Sequence, residues 1–294
     1  MTIRTRRSAT AIGFIAVLLW ALLALFTVAS SPVPPLQLNA MCFALGGLLG
    51  VGWLALTGGA GRLRGVPLSV YAFGTLGLFG YHALYFAALR LAPPAEAGLI
   101  AYLWPLLIVL FSGLLPGERL RAGHLAGAAV AFAGAALIVG RGAAFDAEAL
   151  PGYALAGACA LTWSGYSVLS RRMGHVPTEV VVVYCLATAI LSVPLHLVLE
   201  DTVWPEGAIG WAAVAGLGLG PVGLAFYVWD HGVKRGDIQL LGVASYAAPL
   251  LSTAVLIWAG YARPSWRLAI AAAMIAGGAA LAARASLRAE DQAP

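Results

Sequence analysis

The sequence predicts an all-α integral membrane protein with ten transmembrane helices, arranged as two inverted five-helix repeats. Three observations predict this fold. The composition is too apolar for a water-soluble globule, long apolar stretches recur along the whole chain, and the second half repeats residues of the first at a nearly constant offset. The predicted first repeat covers residues 1–140 and the predicted second repeat covers residues 141–294.

The composition argues against several classes of protein. Hydrophobic residues make up 61% of the 294 residues and charged residues 10%, whereas soluble domains have about 45–50% and about 25%. The mean hydropathy is +0.90. The net charge of +5 comes from lysines and arginines dispersed between apolar segments, so no basic face predicts a nucleic-acid partner. The three cysteines lie inside apolar segments and indicate neither a disulfide framework nor a metal site.

Ten apolar stretches are long enough to cross a bilayer, which requires about 20 mostly apolar residues. Short loops separate them, and no hydrophilic domain is inserted. The first stretch is longer than the apolar core of a signal peptide, about 7–15 residues, so we expect a retained first helix. The predicted spans are residues 9–29, 36–57, 67–89, 94–115, 120–140, 151–170, 178–199, 208–233, 237–258 and 263–283.

The distribution of positive charge predicts the orientation in the membrane. With the N-terminus inside, 13 of the 17 Lys and Arg residues fall on the inner side. Only Arg90, Arg141, Arg263 and Arg267 fall on the outer side. Lysine and arginine are enriched in the cytoplasmic loops of membrane proteins. We therefore expect both termini in the cytoplasm.

An internal duplication emerges when the chain is aligned with itself. At an offset of 144 residues, segment 74–139 aligns with segment 218–283 without a gap. Because each repeat has an odd number of spans, the second copy enters the membrane in the opposite orientation. Inverted repeats are typical of secondary transporters, whose substrate site lies near the midplane at the repeat interface. Matched residues include Gly74 with Gly218, Gly98 with Gly242, Tyr102 with Tyr246 and Pro105 with Pro249, and an offset of 143 matches Trp20 with Trp163.

A motif after the fourth span adds a family resemblance. The chain resembles the drug/metabolite transporter superfamily with two EamA-type units in three features. These are the five-plus-five organisation, the Pro-kinked fourth and ninth spans, and the segment Leu114-Leu115-Pro116-Gly117-Glu118-Arg119-Leu120. Within it, the chain is most similar to the YddG-type aromatic amino-acid exporters. The resemblance implies a bacterial inner-membrane exporter of amino acids and related amphiphiles. In the second half, Gly260-Tyr261-Ala262 stands where the glutamate would fall.

Aromatic residues in the middle of a span are informative, because tryptophan and tyrosine normally concentrate at the membrane interfaces. A buried indole N–H or phenol O–H needs a partner that hydrocarbon does not supply. The mid-span aromatics therefore predict a central aromatic-lined pocket, with ordinary helix packing as the alternative. The predicted substrate-binding residues are Trp20, Tyr81, His82, Tyr102, Trp104, Trp163 and Tyr246, whereas Trp53, Trp204, Trp211, Trp229, Trp258 and Trp266 are assigned to the interfaces.

Three mid-span prolines are predicted to kink their helices and to serve in gating. Pro105 and Pro249 occupy matched positions of the two repeats, and Pro221 interrupts the eighth span. A proline removes a backbone donor and clashes with the preceding turn, which frees a carbonyl oxygen and provides a bend. Pro194 is also expected to interrupt its span, without a functional role. The alternative is that proline is simply frequent in membrane helices.

Few ionisable side chains lie inside the predicted spans, where such groups are usually functional. Glu96 and Asp230 lie near span ends, where solvent, Arg90 or Lys234 can compensate them. Only His82 lies well inside a span. Without an acidic residue at the midplane, we expect a facilitator that exports amino acids by alternating access through the central pocket.

Other functions remain as alternatives to amino-acid export. One is proton-coupled export of other metabolites or drugs, such as cationic aromatic or nucleoside-like compounds. A scaffold or channel is disfavoured by the duplication. The sequence has no nucleophile–base constellation or metal motif of an intramembrane enzyme, so we predict no enzymatic activity, cofactor or metal. The predicted partners are a small-molecule substrate and the lipid bilayer, and the oligomeric state is left open.

Overall fold

The structure, a computed structural model, describes residues 3–140, 143–144 and 146–290. These residues form helices, short helical turns and loops, with no β-strand among them. Arg141, which is predicted to lie in an outer loop and to begin the second repeat, lies outside the described residues. The helices are α1 Ile3–Trp20, α2 Leu23–Ala29, α3 Pro35–Thr57, α4 Leu68–Leu91, α5 Pro94–Ala101, α6 Trp104–Ser112, α7 Ala122–Val139, α8 Leu150–Arg172, α9 Val181–Leu199, α10 Gly207–Leu219, α11 Ala225–Arg235, α12 Ile238–Ala244, α13 Ala247–Trp258 and α14 Trp266–Glu290.

Nine segments of the described chain are long and apolar enough to cross a membrane. They overlap nine of the ten predicted spans, all except the sixth, which corresponds to the 23-residue helix α8. Three serines lower the hydropathy of α8, namely Ser164, Ser167 and Ser170, and all three are buried inside the bundle. The class of an all-helical membrane protein is therefore confirmed, whereas the count of ten spans stays a prediction.

Two spans are divided near their middle by breaks at matched positions. One break, at residues 102–103, separates α5 from α6, and the other, at residues 245–246, separates α12 from α13, so the two breaks match to within one residue. Pro105 and Pro249 follow these breaks within the first turns of α6 and α13. A proline ring clashes with the carbonyl group four residues earlier, so a regular helix does not continue through these positions.

Pro221 and Pro194 differ in their effect on the helix that contains them. Pro221 lies in a π-helical turn, Gly220–Leu224, which joins α10 to α11. Turns of this kind occur inside α-helices, frequently at functional sites. The expectation that Pro194 interrupts the seventh span is wrong, because α9 continues through it. Membrane helices tolerate an interior proline where neighbouring groups satisfy the freed backbone.

Two pairs of helices at equivalent positions of the two halves pack antiparallel. In the pair α3 and α9, Asn39 donates a hydrogen bond to Ser192 (2.8 Å), and Gly50 faces Val182 further along. Residue numbers therefore rise along one helix as they fall along the other. Helices α7 and α14 also pack antiparallel, since Gly127 faces Gly278 and Gly134 faces Ala271.

Small residues allow α7 and α14 to approach each other closely. Gly127 faces Gly278, and a Cβ atom at Gly134 would lie 3.0 Å from the carbonyl oxygen of Ala271. Small residues let membrane helices pack backbone against backbone. Moving each residue by the 144-residue offset exchanges these two contacts, so the interface has the symmetry of the internal duplication.

The centre of the bundle lies between two further antiparallel pairs, α1 with α11 and α4 with α8. Gly13 of α1 lies against Gly232 of α11, and Gly77 of α4 faces the ring of Tyr166 of α8. Exchanging the two halves turns one pair into the other. These four helices carry most of the aromatic side chains described below.

Candidate functional site

Four indole rings meet at the centre of the bundle. Trp20 comes from α1, Trp104 from α6, Trp163 from α8 and Trp229 from α11. Each ring contacts the other three, with centroid distances between 5.2 and 6.3 Å. Trp104, Trp163 and Trp229 are buried and Trp20 is partly exposed. Residues from both halves of the chain thus build one four-indole cluster.

Two of these indoles are held by hydrogen bonds to the protein. The Trp20 N–H donates to the carbonyl oxygen of Pro221 in the π-helical turn (3.1 Å). The Trp229 N–H donates to the hydroxyl oxygen of Ser167 (3.1 Å). Buried indoles usually find such a partner. These bonds fix the rings of α1 and α11 against the rest of the cluster.

An aromatic extension from α4 adjoins the four-indole cluster. The ring of Tyr81 lies 5.5 Å from Trp163 and 5.1 Å from His82. His82 in turn contacts Phe43 at 5.0 Å and Phe226 at 6.1 Å. The structure therefore brings together five of the seven predicted substrate-binding residues, namely Trp20, Tyr81, His82, Trp104 and Trp163.

The backbone contact of His82 indicates which of its two ring nitrogens carries the proton. Its Nδ1 atom lies 2.7 Å from the carbonyl oxygen of Leu78. A carbonyl oxygen only accepts hydrogen bonds, so Nδ1 carries the proton and donates it. In neutral imidazole the other nitrogen is then an acceptor. His82 thus offers an Nε2 lone pair among aromatic rings.

Several hydrogen-bond donors of the site are left free. Within the described part of the chain, the N–H groups of Trp104 and Trp163 have no hydrogen-bond partner in the protein. The same holds for the hydroxyl groups of Tyr81, Tyr85 and Tyr102. Polar groups in a bilayer normally find internal partners. Free donors beside the His82 acceptor can therefore meet a polar ligand.

Tyr102 lies between the site and a second hydrophobic cluster. Its ring is half-buried and packs against this cluster, whose buried residues come from α6, α7, α12, α14 and the break before α13. Its hydroxyl group lies near the hydroxyl groups of Tyr81 and Tyr85. It is therefore a residue at the edge of the aromatic site.

Tyr246 was predicted as a pocket residue, and the structure places it elsewhere. Its side chain is fully buried in the second cluster, 5.9 Å from the ring of Phe132. Its hydroxyl oxygen accepts a hydrogen bond from the N–H of Leu106 (3.1 Å). This N–H belongs to the first turn of α6, where backbone donors lack an intrahelical partner. Tyr246 thus caps a broken helix and does not line the aromatic site.

Trp229 is the main residue that the sequence assignment missed. It was assigned to a membrane interface, but it is fully buried and contacts the other three central indoles. Helical side chains lean towards the N-terminus of their helix, which carries this ring back towards the middle of its span. The 144-residue offset contained a signal, because it matches Trp229 with Tyr85 and Phe226 with His82.

An ionic network lies at the end of the bundle that carries the N-terminal segment. The buried Glu118 carboxylate accepts hydrogen bonds from Arg6 (3.2 Å) and Arg171 (3.1 Å). Arg171 also donates to the carbonyl oxygens of Lys234 (2.9 Å) and Gly236 (2.8 Å). The Glu118 network joins α1, α8, the loop after α6 and the loop after α11. It therefore ties the two halves together at this end.

The acidic residues near span ends have different partners. Asp230, adjacent to Trp229, is fully buried and forms an ion pair with Lys234 (2.9 Å). The Glu96 carboxylate instead accepts a hydrogen bond from the backbone N–H of Ala144. Arg90, expected as a partner of Glu96, lies 3.4 Å from Glu200. Within the described residues, no group of three or more His, Cys, Asp or Glu could hold a metal ion.

Comparison with known proteins places the chain among transporters. The aromatic amino acid exporter YddG of Ancylobacter novellus is 57% identical over 288 residues, which cover 95% of this chain and 98% of the relative. The protein of the same name from Escherichia coli K12 is 28% identical, covering 94% and 97%. A crystal structure with 57% sequence identity superposes with a TM-score of 0.92, covering 96% of this chain and 99% of the other.

The family comparison agrees with the internal duplication. The sequence profile of the EamA-like transporter family matches residues 7–140 and again residues 150–284. The two matches together take up most of the 294 residues. The chain therefore belongs to the EamA-like transporter family.

Proposed function

We propose that this protein exports aromatic and other neutral amphiphilic amino acids across the bacterial inner membrane, by alternating access through the central aromatic site. The observation that carries the proposal is the four-indole cluster with its free donors and the adjoining His82 acceptor. The relatives named as aromatic amino acid exporters support the same substrate class.

The site offers a partner for each part of an aromatic amino acid. Indole and phenol faces match an apolar side chain, and an ammonium group over an indole face gains about 0.5–2 kcal/mol, depending on desolvation. The free N–H groups of Trp104 and Trp163 suit the carboxylate. The Nε2 atom of His82 suits the ammonium group. Because no full charge is fixed among these groups, binding is modest in strength and the substrate can be released.

The proposed architecture is ten spans in two inverted repeats, residues 1–140 and 141–294, with both termini in the cytoplasm. Helix α8 supplies the tenth span. The antiparallel packing of α3 with α9 and of α7 with α14 supports the inversion, as does the repeated family match. The uneven distribution of lysine and arginine supports the orientation.

The proposed topology has a direct test. Single cysteines at Gly61→Cys and Asp201→Cys, in a background lacking Cys42, Cys159 and Cys185, lie in exposed loops on opposite predicted sides. A membrane-impermeant thiol reagent applied from outside should label the variant at 201 and not the variant at 61. Labelling of both from one side contradicts the inverted ten-span architecture.

The proposed gating elements are the helix breaks and the ionic network. The break before Pro105 and the π-helical turn at Pro221 provide bending points on spans that carry site residues, and the break before Pro249 provides one on the span of Tyr246, which binds the backbone of α6. The Glu118 network closes the predicted cytoplasmic end in this conformation. Its bonds must open when the site is exposed to the cytoplasm.

A second candidate is proton-coupled export of cationic aromatic or nucleoside-like compounds. The observation that favours it is Asp230, a fully buried carboxylate adjacent to Trp229. The ion pair with Lys234 neutralises this carboxylate and favours the facilitator instead. Flux into proteoliposomes with and without an imposed pH gradient distinguishes the two, because only the coupled exporter accumulates substrate above equilibrium.

The aromatic site is tested by substrate flux in proteoliposomes, using labelled phenylalanine and tryptophan. If one ring contributes about 1 kcal/mol, Trp104→Ala and Trp163→Ala each weaken the apparent affinity about fivefold. Trp258→Ala is the matched control, because this ring is 86% exposed at a span end. Its flux should stay near that of the unmodified protein. Equal flux of all three variants would refute the proposed site.

A further inference from the structure

A groove of about 670 Å³ lies away from the central aromatic site, on another face of α11. Tyr227, Val228 and His231 of α11 line this groove, whereas the neighbouring Trp229 belongs to the four-indole cluster. Helices α1 and α3 and the loop that leads to α9 form the other walls. The groove is therefore separate from the proposed substrate site.

The groove has an apolar part and a cationic rim. Ile12, Leu49 and Val228 line the apolar part. Leu49 is 38% exposed, so this part opens at the side of the bundle, where lipid surrounds a membrane protein. The rim carries two arginines, Arg62 and Arg235, and two histidines, His175 and His231, at the predicted cytoplasmic end. This combination matches the two ends of a lipid molecule.

The charge of the rim is not balanced within the protein. Arg62 forms an ion pair with the buried Glu179, the one carboxylate among the lining residues. In the described part of the chain, the Arg235 guanidinium has no hydrogen-bond or ion-pair partner. A zwitterion has no net charge and would leave the Arg235 charge unbalanced, since Glu179 is already paired with Arg62. A ligand with net negative charge fits the rim better.

We propose that this groove binds an anionic phospholipid, with its phosphate at Arg235 and Arg62 and one acyl chain along Ile12, Leu49 and Val228. Arginine suits phosphate because its guanidinium donates two parallel hydrogen bonds. Basic pockets between membrane helices at the cytoplasmic side are known to bind anionic headgroups. Because the bound lipid would contact α1, α3 and α11 together, it would brace helices of both halves.

The test uses Trp53, whose ring lies in the groove wall, 5.9 Å from Tyr227. Phosphatidylglycerol with brominated acyl chains is titrated into the purified protein in detergent, with brominated phosphatidylcholine as the neutral comparison. The quenching assigned to Trp53 is the difference between the unmodified protein and Trp53→Phe. We expect phosphatidylglycerol to quench Trp53 at lower concentration than phosphatidylcholine.

Two double variants with equal charge change separate a groove site from general surface charge. Each arginine near a headgroup contributes about fivefold in affinity, on the order of 1 kcal/mol. Arg62→Gln with Arg235→Gln should therefore weaken phosphatidylglycerol binding about 25-fold. Arg284→Gln with Arg288→Gln, on α14 and outside the groove, should leave it nearly unchanged. Equal weakening by both double variants overturns the proposal.

A third variant, Val228→Phe, fills the apolar part without changing any charge. It should reduce the quenching of Trp53 by both lipids. The lipid that still binds should remain preferentially phosphatidylglycerol, because the arginines are unchanged. Competition with phenylalanine tests whether the groove binds an amino acid instead of a lipid. If saturating phenylalanine displaces the brominated lipid, or if the two lipids quench Trp53 equally, the groove is not an anionic-lipid site. Neither result bears on the central aromatic site, which the flux of Trp104 and Trp163 variants tests separately.

Discussion

The two halves of the chain share a backbone design and differ in the side chains that it carries. Both have a helix break followed by a proline, Pro105 in one half and Pro249 in the other. The matched tyrosines beside these breaks have different environments. Tyr102 is half-buried at the edge of the aromatic site, whereas Tyr246 is fully buried and binds the backbone of α6. Matched positions in a repeat therefore share geometry without sharing a role.

The same asymmetry extends into the site itself. His82 and Phe226 occupy matched positions and contact each other, yet only His82 offers hydrogen-bonding atoms. Trp104 corresponds to Ala248, which has no ring at all. Most of the free polar groups thus belong to the first half, whereas the second half contributes the N–H of Trp163. We therefore expect the proposed site to hold a zwitterion in one preferred orientation.

The largest predicted effect concerns Glu118 of the ionic network, an acidic residue that the second half lacks at the matched position. Glu118 corresponds to Ala262, and no other carboxylate replaces it there. Glu118→Gln leaves the Arg171 guanidinium partly buried without its counter-charge. Removing one partner of a buried ion pair typically costs about 3–5 kcal/mol. We therefore expect a loss of about 3 kcal/mol in unfolding free energy, measured by denaturant unfolding in detergent.

A matched control for this variant is Glu206→Gln, which makes the same change in an exposed loop. An exposed substitution of this kind should alter stability by less than about 0.5 kcal/mol. If both variants unfold alike, the network is a surface feature and does not hold this end of the bundle closed.

A smaller effect separates the two matched tyrosines. Tyr246→Phe leaves the N–H of Leu106 without its partner, which costs about 1–3 kcal/mol for a buried donor. Tyr102→Phe removes a free hydroxyl group and should change stability by less than about 0.5 kcal/mol. The transport KM should respond in the opposite order, rising for Tyr102→Phe and staying constant for Tyr246→Phe. A KM change for Tyr246→Phe alone would return this residue to the substrate site.

Much of the fold was predictable because the membrane imposes simple constraints on a sequence. Most predicted spans match the helices to within a few residues, since each span must satisfy its own backbone in lipid, whereas α1 begins six residues before its predicted span and α14 ends seven residues after its own. The span of α8 was harder to recognise by hydropathy. Its serines face protein, and burial inside a bundle removes the requirement for apolar side chains that lipid contact imposes.

The site was only partly predictable, for reasons that two residues illustrate. Position within a span predicted a common location for Trp20 and Trp163, and these two rings meet in the cluster. It failed for Trp229, because depth along a helix does not give the direction in which a side chain points. It failed for Tyr246 because a helix break created a free backbone donor that recruits the hydroxyl group. Neither the direction nor the recruitment can be deduced from spacing alone.

The smallest predicted effect tests the difference between His82 and Phe226 directly. His82→Phe makes the two halves alike at this position and removes the Nε2 acceptor proposed for the substrate ammonium group. A hydrogen bond to a charged group contributes about 1.5–3 kcal/mol, and the lower end of this range corresponds to a fall of about tenfold in the apparent affinity for phenylalanine. Phenylpropionate, which lacks the ammonium group, should compete equally well against both proteins. Substrate flux and competition in proteoliposomes provide the measurement.

His82→Gln is the companion variant, because its amide oxygen can still accept a hydrogen bond. We expect it to retain most of the affinity that His82→Phe loses, since the acceptor is kept and only its position shifts. A facilitator does not use His82 to carry protons, so neither variant should create or remove a dependence on a pH gradient. If His82→Phe weakened phenylalanine and phenylpropionate equally, the ring would serve only packing against Phe43 and Phe226, and the two halves would be functionally equivalent at this position.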